Sequence, residues 1–420
     1  MNNINYRPII LIANSSWYLF HYRNLLLRKF KDEKNYLVTL SPIDKNTLEL
    51  SKISLHIPLR VFRSGNKNLI MFFLSLLRII LIFRIFKPRI VHSHTLKTNF
   101  LTTIASFIFG IPCIISFAGL GQISRTKGLK KTIFIFIIKI IGFLSYRKIG
   151  RNFLEKSSKR TSFIFQNKND MKFIENIIKI SSNKNFLING SGVPDYYFVK
   201  SKNNRWEKSI KLSKNKLAIN FHLIYLGRLL KSKGILRFIE ISKNFKNLKS
   251  SVYGGIDKSS RDSLNKDEII QIKKNNENIK FHGVKENPLL IQKNNFPILV
   301  LPSVYGEGLP RGIAEALTLG IPVICSKEAS CDYFDESLVY IAKDNFLNSY
   351  INCIDQIIDD YLKDNLKQKI KKGRLFAKQN LSEHQIVMKT LMAYEHIEKV
   401  NRNLTNTNFK NKNSNNWITN

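Results

Sequence analysis

The sequence predicts an α/β protein made of two doubly wound halves, each laid on a parallel sheet. Three observations lead there. The chain has 420 residues, too long for one ordinary core and suited to two domains of roughly 200 residues each. Short apolar runs of strand length alternate with longer helical segments, the pattern of repeated βαβ units. That alternation halts in the polar stretch 200–216 and then resumes.

Pro8 to Ala13 reads as a first buried strand, followed by the turn Asn14-Ser15-Ser16 and a helix through Phe30. Tyr36 to Leu40 is a second strand. Residues 68–86 form a helix, then comes Pro88, then the strand Arg89 to His92. The polar segment Ser93 to Asn99 precedes a helix to Phe109, and Gly110-Ile111-Pro112 leads into the strand Cys113 to Phe117. Ser162 to Gln166 is a further strand, and this half ends near residue 190. The second series has strands near 221–226, 250–253, 279–281, 298–301 and 322–325, with helices between. Sheets of this kind bind ligands beyond the carboxyl ends of their strands. No internal repeat is visible.

The most informative stretch is Tyr305-Gly306-Glu307-Gly308-Leu309-Pro310-Arg311-Gly312-Ile313-Ala314-Glu315-Ala316-Leu317, which sets two carboxylates 8 residues apart around a glycine-rich turn. Ile298 to Leu301 reads as the strand before it and Ile313 to Leu319 as the packed helix after it. Pro310 suits the first turn of that helix, where a missing N–H costs nothing. The helix N-terminus offers unpaired N–H groups and the positive end of its dipole to an anion. Gly306, Gly308 and Gly312 let backbone approach that anion closely. Glu307 is expected in the loop facing the ligand, with Glu315 about two turns in and reaching back toward it. A carboxylate accepts two sugar O–H bonds at once, so this pair beside a phosphate site suits hydroxyl recognition.

A second segment, Leu226-Gly227-Arg228-Leu229-Leu230-Lys231-Ser232-Lys233-Gly234-Ile235, leaves a strand and enters a helix. Arg228 and Lys233 straddle its short loop and can converge on a diphosphate, Arg as a fork and Lys as a point charge. Two glutamates at this spacing are more often a solvated helix face, and two loop cations more often a surface pair. The strings around them favour the functional reading.

Those strings carry a resemblance. The run from Gly306 through Leu317, continued by Gly320-Ile321-Pro322-Val323-Ile324, looks like the signature of retaining glycosyltransferases of family 4. These have the GT-B fold, two Rossmann-like domains facing an interdomain cleft. The Gly227-Arg228…Lys233-Gly234 segment is similar to the same family's. By that resemblance Arg228 and Lys233 neutralise the donor pyrophosphate and stabilise the departing nucleoside diphosphate. Glu307 would contact the donor sugar and Glu315 the ribose hydroxyls, with Gly308, Leu309 and Pro310 completing the donor-binding turn. No Asp-x-Asp metal motif stands in a plausible loop, so neither metal nor cofactor is expected beyond the nucleotide-sugar substrate.

The first half supplies segments that resemble the capsular and O-antigen branch of the family. Asn14 to Arg23, with Ser16 near its start, is similar to a loop bordering the cleft; Trp17 and Tyr18 fit the cleft or a core equally well. His92-Ser93-His94-Thr95-Leu96-Lys97-Thr98 resembles another. Its two histidines share one face of a strand, yet no third ligand is evident, and His94 at the cleft edge is the candidate for hydrogen bonding to acceptor or donor. Ser116-Phe117-Ala118-Gly119-Leu120-Gly121 resembles a glycine loop in which many members have a histidine where Ala118 stands, so no catalytic histidine carries over. The N–H groups from Gly119 to Gly121 are candidates for touching phosphate or sugar instead. Ile188-Asn189-Gly190-Ser191-Gly192-Val193 is similar to the family's interdomain segment. The match covers roughly residues 9–340. It implies an acceptor-side domain over 1–190 and a donor-binding domain over 191–381. A final helix over 382–400 is a candidate to pack back on the first domain, as in other GT-B proteins. Residues 401–420, rich in Asn, Thr and Lys, read as disordered.

The formal charge is +38. Basic chains of this kind bind nucleic acid, anionic membrane surfaces or phosphorylated substrates. Part of the excess lies in Lys/Asn/Ile-rich stretches that suggest an AT-biased genome. The lysines are scattered and no nucleic-acid recognition signature is present, which disfavours a specific nucleic-acid partner. The 4 cysteines form no CxxC pair, as expected of a reducing cytoplasm. No signal peptide opens the chain, since Ile9 to Ala13 is too short for a secretory core. Leu69 to Phe86 and Thr132 to Tyr146 are apolar, but Arg78, Arg84 and Lys139 interrupt them, and both fall short of a span of about 20 residues. They read as core-packing helices or as interfacial ones, with Lys127, Lys130, Lys131, Arg147, Lys148 and Arg151 on anionic headgroups; surface attachment without a span is the reading adopted.

The function implied is a glycosyltransferase moving a hexose or N-acetylhexosamine, UDP-linked, to a polyprenyl-diphosphate-linked sugar in surface polysaccharide assembly. Its place would be cytoplasmic, peripheral on the inner face of the plasma membrane. A non-hydrolysing UDP-N-acetylhexosamine epimerase shares the fold but would need no acceptor. A nucleic-acid binding protein is the non-enzyme alternative.

Overall fold

The computed structural model describes residues 7–59, 69–117, 119–120, 128–146, 160–178, 185–201, 221–258, 260–291 and 296–414. The chain divides into two units: Met1–Ile188 with Val387–Asn420, and Asn189–Ile386.

The first unit is built on seven strands: β1 (Ile9–Ile12), β2 (Leu37–Ser41), β3 (Leu55–Pro58), β4 (Ile90–His94), β5 (Cys113–Phe117), β6 (Thr161–Phe165) and β7 (Asn185–Leu187). They run in the order β3-β2-β1-β4-β5-β6-β7, every neighbour parallel. β1, β2, β4, β5 and β6 are buried along their whole length, because crossover helices cover both faces of a parallel sheet. The order turns back between β1 and β4, where Ile12 lies opposite Ser93. The loops leaving these two strands therefore lie side by side.

The second unit repeats the plan with β8 (Phe221–Leu226), β9 (Lys249–Tyr253), β10 (Ile279–Gly283), β11 (Phe296–Leu301), β12 (Val323–Ser326) and β13 (Tyr340–Ala342). Their order is β10-β9-β8-β11-β12-β13, again all parallel. Here the turn-back falls between β8 and β11, with Ile224 opposite Leu299. The expected two doubly wound parallel halves are thus what the chain forms.

Three strands went unread in the sequence, and all three are sheet edges: β3, β7 and β13. Each is only 3 or 4 residues long. An edge strand is covered less completely than a central one, so it need not be apolar throughout; β3 and β7 lack a single fully buried residue.

The last helix runs Glu383–Ser414, and its stretch from Val387 onward belongs to the first unit. Tyr394 is buried there, its ring 4.9 Å from that of Phe30, and Arg89 pairs with Glu398 at 3.5 Å. Residues 401–414 are helical, which corrects the expectation of disorder from 401. Their polarity argued against a core, but no Gly or Pro interrupts the segment, so an anchored helix continues through it. Among the described residues no helix is long and apolar enough to cross a membrane.

Candidate functional site

The two C-terminal motifs leave β8 and β11, the strands between which the second sheet turns back. Past Leu226 the chain extends the β8–β9 ladder: Gly227 N–H donates to the Tyr253 carbonyl at 3.0 Å and Leu229 N–H to that of Gly255 at 3.1 Å. The Tyr225 hydroxyl supports the loop from below, donating to the Arg228 carbonyl at 2.8 Å. A 3-10 turn, Lys231–Lys233, follows and Gly234 closes it at φ +77°. A Cβ on Gly234 would stand 1.9 Å from the Pro302 carbonyl oxygen, an impossible contact, so glycine is what lets the two loops touch. The Val304 N–H then donates to the Ser232 carbonyl at 2.9 Å and ties them.

This tie brings Lys233 to Glu307. Nζ lies 2.9 Å from Oε2, and the two side chains are 20% and 16% exposed. Burial works to lower the pKa of the Lys233 ammonium, but the charges of Glu307 and Tyr305 and the bond to Glu307 more than offset it. The net shift is upward and the lysine stays charged. Arg228 reaches the other way, with Nη1 2.7 Å from Asp257 Oδ2, and is 58% exposed. Arg228 is thus open to a ligand at the surface although Asp257 is only 19% exposed, whereas Lys233 is held in place.

Glu315 occupies the helix Arg311–Leu319, whose cap is Pro310 at φ −64° and ψ 108°. Pro310 thus stands just outside the helix instead of in its first turn; its carbonyl accepts from the Ile313 N–H at 3.1 Å. Glu315 is closer to the helix start than expected and only 6% exposed. Arg311 Nε donates to its Oε1 at 2.7 Å, and the Tyr197 hydroxyl bonds to the same carboxylate. Burial raises the Glu315 pKa, with Arg311 and Tyr197 acting against it. Gly308 is half-buried, and Leu309 packs on Gly190, where a Cβ would come within 2.8 Å of Leu309 Cδ2. Gly306 faces open space, while Gly312 lies against Leu226, Leu301 and Leu299. Gly312 therefore serves the seating of helix on sheet, which differs from the close approach to an anion expected of it.

In the first unit, Ser15 caps the helix Ser16–Asp32, accepting from the Tyr18 N–H at 3.1 Å. Ser16 is fully buried, 2.9 Å from Ser41 Oγ and donating to the Pro42 carbonyl at 2.9 Å. It ties the start of this helix to the end of β2. Trp17 is exposed and Tyr18 half-buried, so neither is a core aromatic.

His94, the candidate for hydrogen bonding to acceptor or donor, ends β4 fully buried. Its ring lies 4.1 Å from that of His92 and 5.3 Å from that of Tyr18. His92 is satisfied, with Nδ1 2.9 Å from Tyr394 Oη and Nε2 2.6 Å from Ser116 Oγ. Among the described residues neither nitrogen of His94 has a partner. Burial first, then His92 and Arg23, hold the His94 pKa well below the usual histidine range, so the ring is neutral at pH 7. Arg23 is buried beside them. It donates to the Tyr22 carbonyl at 2.9 Å and the Tyr18 hydroxyl at 3.3 Å; among the described residues its Nε is unpartnered and no carboxylate pairs with it.

Gly119 has φ +90°; Gly121 lies outside the described residues, as do Lys127, Arg147, Lys148 and Arg151. The N–H of Leu120, between the two glycines, donates to Asp170 Oδ2 at 3.0 Å, so this loop is anchored through a buried carboxylate. Burial pushes the Asp170 pKa up to about 6, against the bonds from Leu120 and Asn167. A folded-state pKa above the unfolded value gives stability that is complete below the unfolded value and lost as pH rises through the folded one. The melting temperature of Asp170→Asn, measured against wild type, should therefore gain relative to it from about pH 4 to about pH 6 and run parallel above. Parallel curves throughout would refute the burial argument.

Sequence reading missed Asp257, Tyr225, Tyr197, Arg23 and Asp170. Asp257 follows Gly254-Gly255 at the carboxyl end of β9, a position that the strand-end rule could have flagged. Arg23 stood inside a motif without a role. Among the described residues no group of three His, Cys, Asp or Glu is placed to hold a metal ion.

Against known proteins, residues 206–375 match the family model described as Glycosyl transferases group 1. A curated relative, the capsular polysaccharide biosynthesis glycosyltransferase CapM of Staphylococcus aureus, is 28% identical over 259 residues, 60% of this chain. That match spans 61% of the relative's length. Among solved structures, a glycosyltransferase from Rickettsia africae superposes with a TM-score of 0.69 at 18% identity, covering 93% of this chain and 98% of its own. Anabaena Alr3699/HepE in complex with UDP does so with 0.67 at 14% identity, covering 92% and 99%. The fold is GT-B. The matches support the GT-B glycosyltransferase class.

Proposed function

We propose that the chain is a retaining glycosyltransferase of family 4 that moves a hexose or N-acetylhexosamine from a UDP-sugar to a polyprenyl-diphosphate-linked acceptor. It would act in capsule or O-antigen assembly, at the cytoplasmic face of the plasma membrane. The observation that carries this reading is the Lys233–Glu307 pair, with Arg228 beside it, where the second sheet turns back.

In this reading Arg228 leaves Asp257 for the donor diphosphate, and Lys233 adds a fixed charge. Both stabilise negative charge that grows on the leaving nucleotide as the glycosidic bond breaks, so the reaction needs no metal. Glu307 holds a hydroxyl of the transferred sugar, and Glu315 the ribose. Retention follows from front-face attack, the leaving phosphate taking the acceptor proton. The UDP in the HepE complex supports the choice of nucleotide. The buried Arg23, without a carboxylate partner among the described residues, supports an anionic acceptor.

A thermal-shift screen against UDP, GDP, ADP and their sugar conjugates, without and with magnesium, tests the reading. Saturable binding to the folded state raises the melting temperature. The expected result is a shift with UDP-sugars that magnesium does not change. No shift with any nucleotide, in folded protein, would refute it.

A further inference from the structure

The crossovers β3 to β4, β4 to β5 and β5 to β6 step the same way along the first sheet. Right-handed connections therefore put their helices, Leu69–Phe86, Leu96–Phe109 and Leu129–Tyr146, on one face of it. The first packs against the second and the second against the third. In the first helix Ser75, Ile79, Ile82 and Phe83 are buried. Its outward side is Ile70, Phe73, Leu74, Leu77, Leu81 and Ile85, at helical spacing, with Arg78 and Arg84 between them. Phe73 is 58% exposed and Ile85 72%. The third helix turns Ile133, Phe136 and Phe143 outward beside Lys139, and Ile108 and Phe109 are exposed at the end of the helix between.

A helix that meets water is normally polar on that side. Scattered exposed apolar residues need no explanation, but a contiguous apolar face marks a partner. Charge says which kind. Between Glu49 and Glu155 the chain has no Asp or Glu and 17 Lys and Arg. A second copy would set two such helix sets against each other, each with 6 Lys and Arg and no Asp or Glu, which an isologous interface cannot relieve. A bilayer with anionic headgroups satisfies both features: acyl chains take the apolar side chains, and headgroups take the cations on their flexible stems.

We infer that this three-helix face docks on an anionic lipid bilayer, with Leu69–Phe86 lying in the plane of the interface. The inference rests on the proposed function only for what attachment serves, delivery to a lipid-linked acceptor. Vesicle binding is measured with no sugar substrate present, so the two readings fail separately.

The test is flotation of the full chain with vesicles of phosphatidylcholine alone and of phosphatidylcholine mixed with phosphatidylglycerol. Binding to the mixed vesicles is expected, weakened by salt and about tenfold or more tighter than to the neutral ones. Combining Phe73→Ser, Leu77→Ser, Leu81→Ser and Phe136→Ser should reduce it about tenfold or more, with the circular dichroism spectrum unchanged, because these side chains are exposed. Independently, Leu77→Trp should show fluorescence that brominated lipid quenches beyond the wild-type background, which distinguishes insertion from capture by charge alone. Wild-type binding by the fourfold variant, no quenching at position 77, equal binding to neutral vesicles, or a stable dimer that the fourfold variant dissolves would each overturn the inference.

Discussion

Glu307→Ala is expected to lower sugar transfer by about 10²–10³-fold while changing the affinity for free UDP by less than about threefold. Two consequences of the geometry combine. The carboxylate that would hold the donor sugar is lost, and so is the group that fixes Lys233 Nζ at 2.9 Å. Without Glu307, burial is left as the largest influence on Lys233 and pulls its pKa down instead of up. The residual activity should therefore fall off at a lower alkaline pH than in wild type. UDP itself would still find Arg228 and the ribose contacts, which keeps its affinity. Turnover at saturating substrates and calorimetric titration with UDP separate the two quantities. Wild-type turnover would remove Glu307 from the site.

Gly234→Ala should be the most damaging small substitution in the second unit, costing about 3 kcal/mol or more. The residue sits at φ +77°, and its new methyl would meet the Pro302 carbonyl at 1.9 Å. Backbone cannot yield as a flexible side chain does, so the 231–234 turn and the loop after β11 must separate. Lys233 and Glu307 would then part as well, and activity should fall with stability. Gly306→Ala, in the neighbouring motif but facing open space, should stay within about 0.5 kcal/mol of wild type. Melting temperatures of the two variants make the comparison, and equal values would show that the loops are not locked as described.

The central strands were legible because burial on both faces demands near-continuous apolar runs; Cys113–Phe117 and Phe221–Leu226 were read to the residue. The site motifs were legible for a different reason. A strand, a glycine turn and a helix start are consecutive in the chain, so their chemistry is written in neighbouring letters. The edge strands β3 and β7 escaped because, without a fully buried residue, nothing forces them to be apolar throughout. Gly312 was read as part of a phosphate cradle because its spacing suits one, and packing against Leu226 and Leu301 is not visible in a string.

By itself, the sequence determined that there are two parallel α/β halves and that Arg228, Lys233, Glu307 and Glu315 stand at strand ends or helix starts. Tertiary structure alone decided what each of them touches. Lys233 and Glu307 are 74 residues apart and Arg228 and Asp257 29, separations fixed by strand order and not by any local period. The same holds for His94, whose burial comes from the elements packed around β4. Local propensity acts over a few residues; partners across a sheet are chosen by which strands become neighbours.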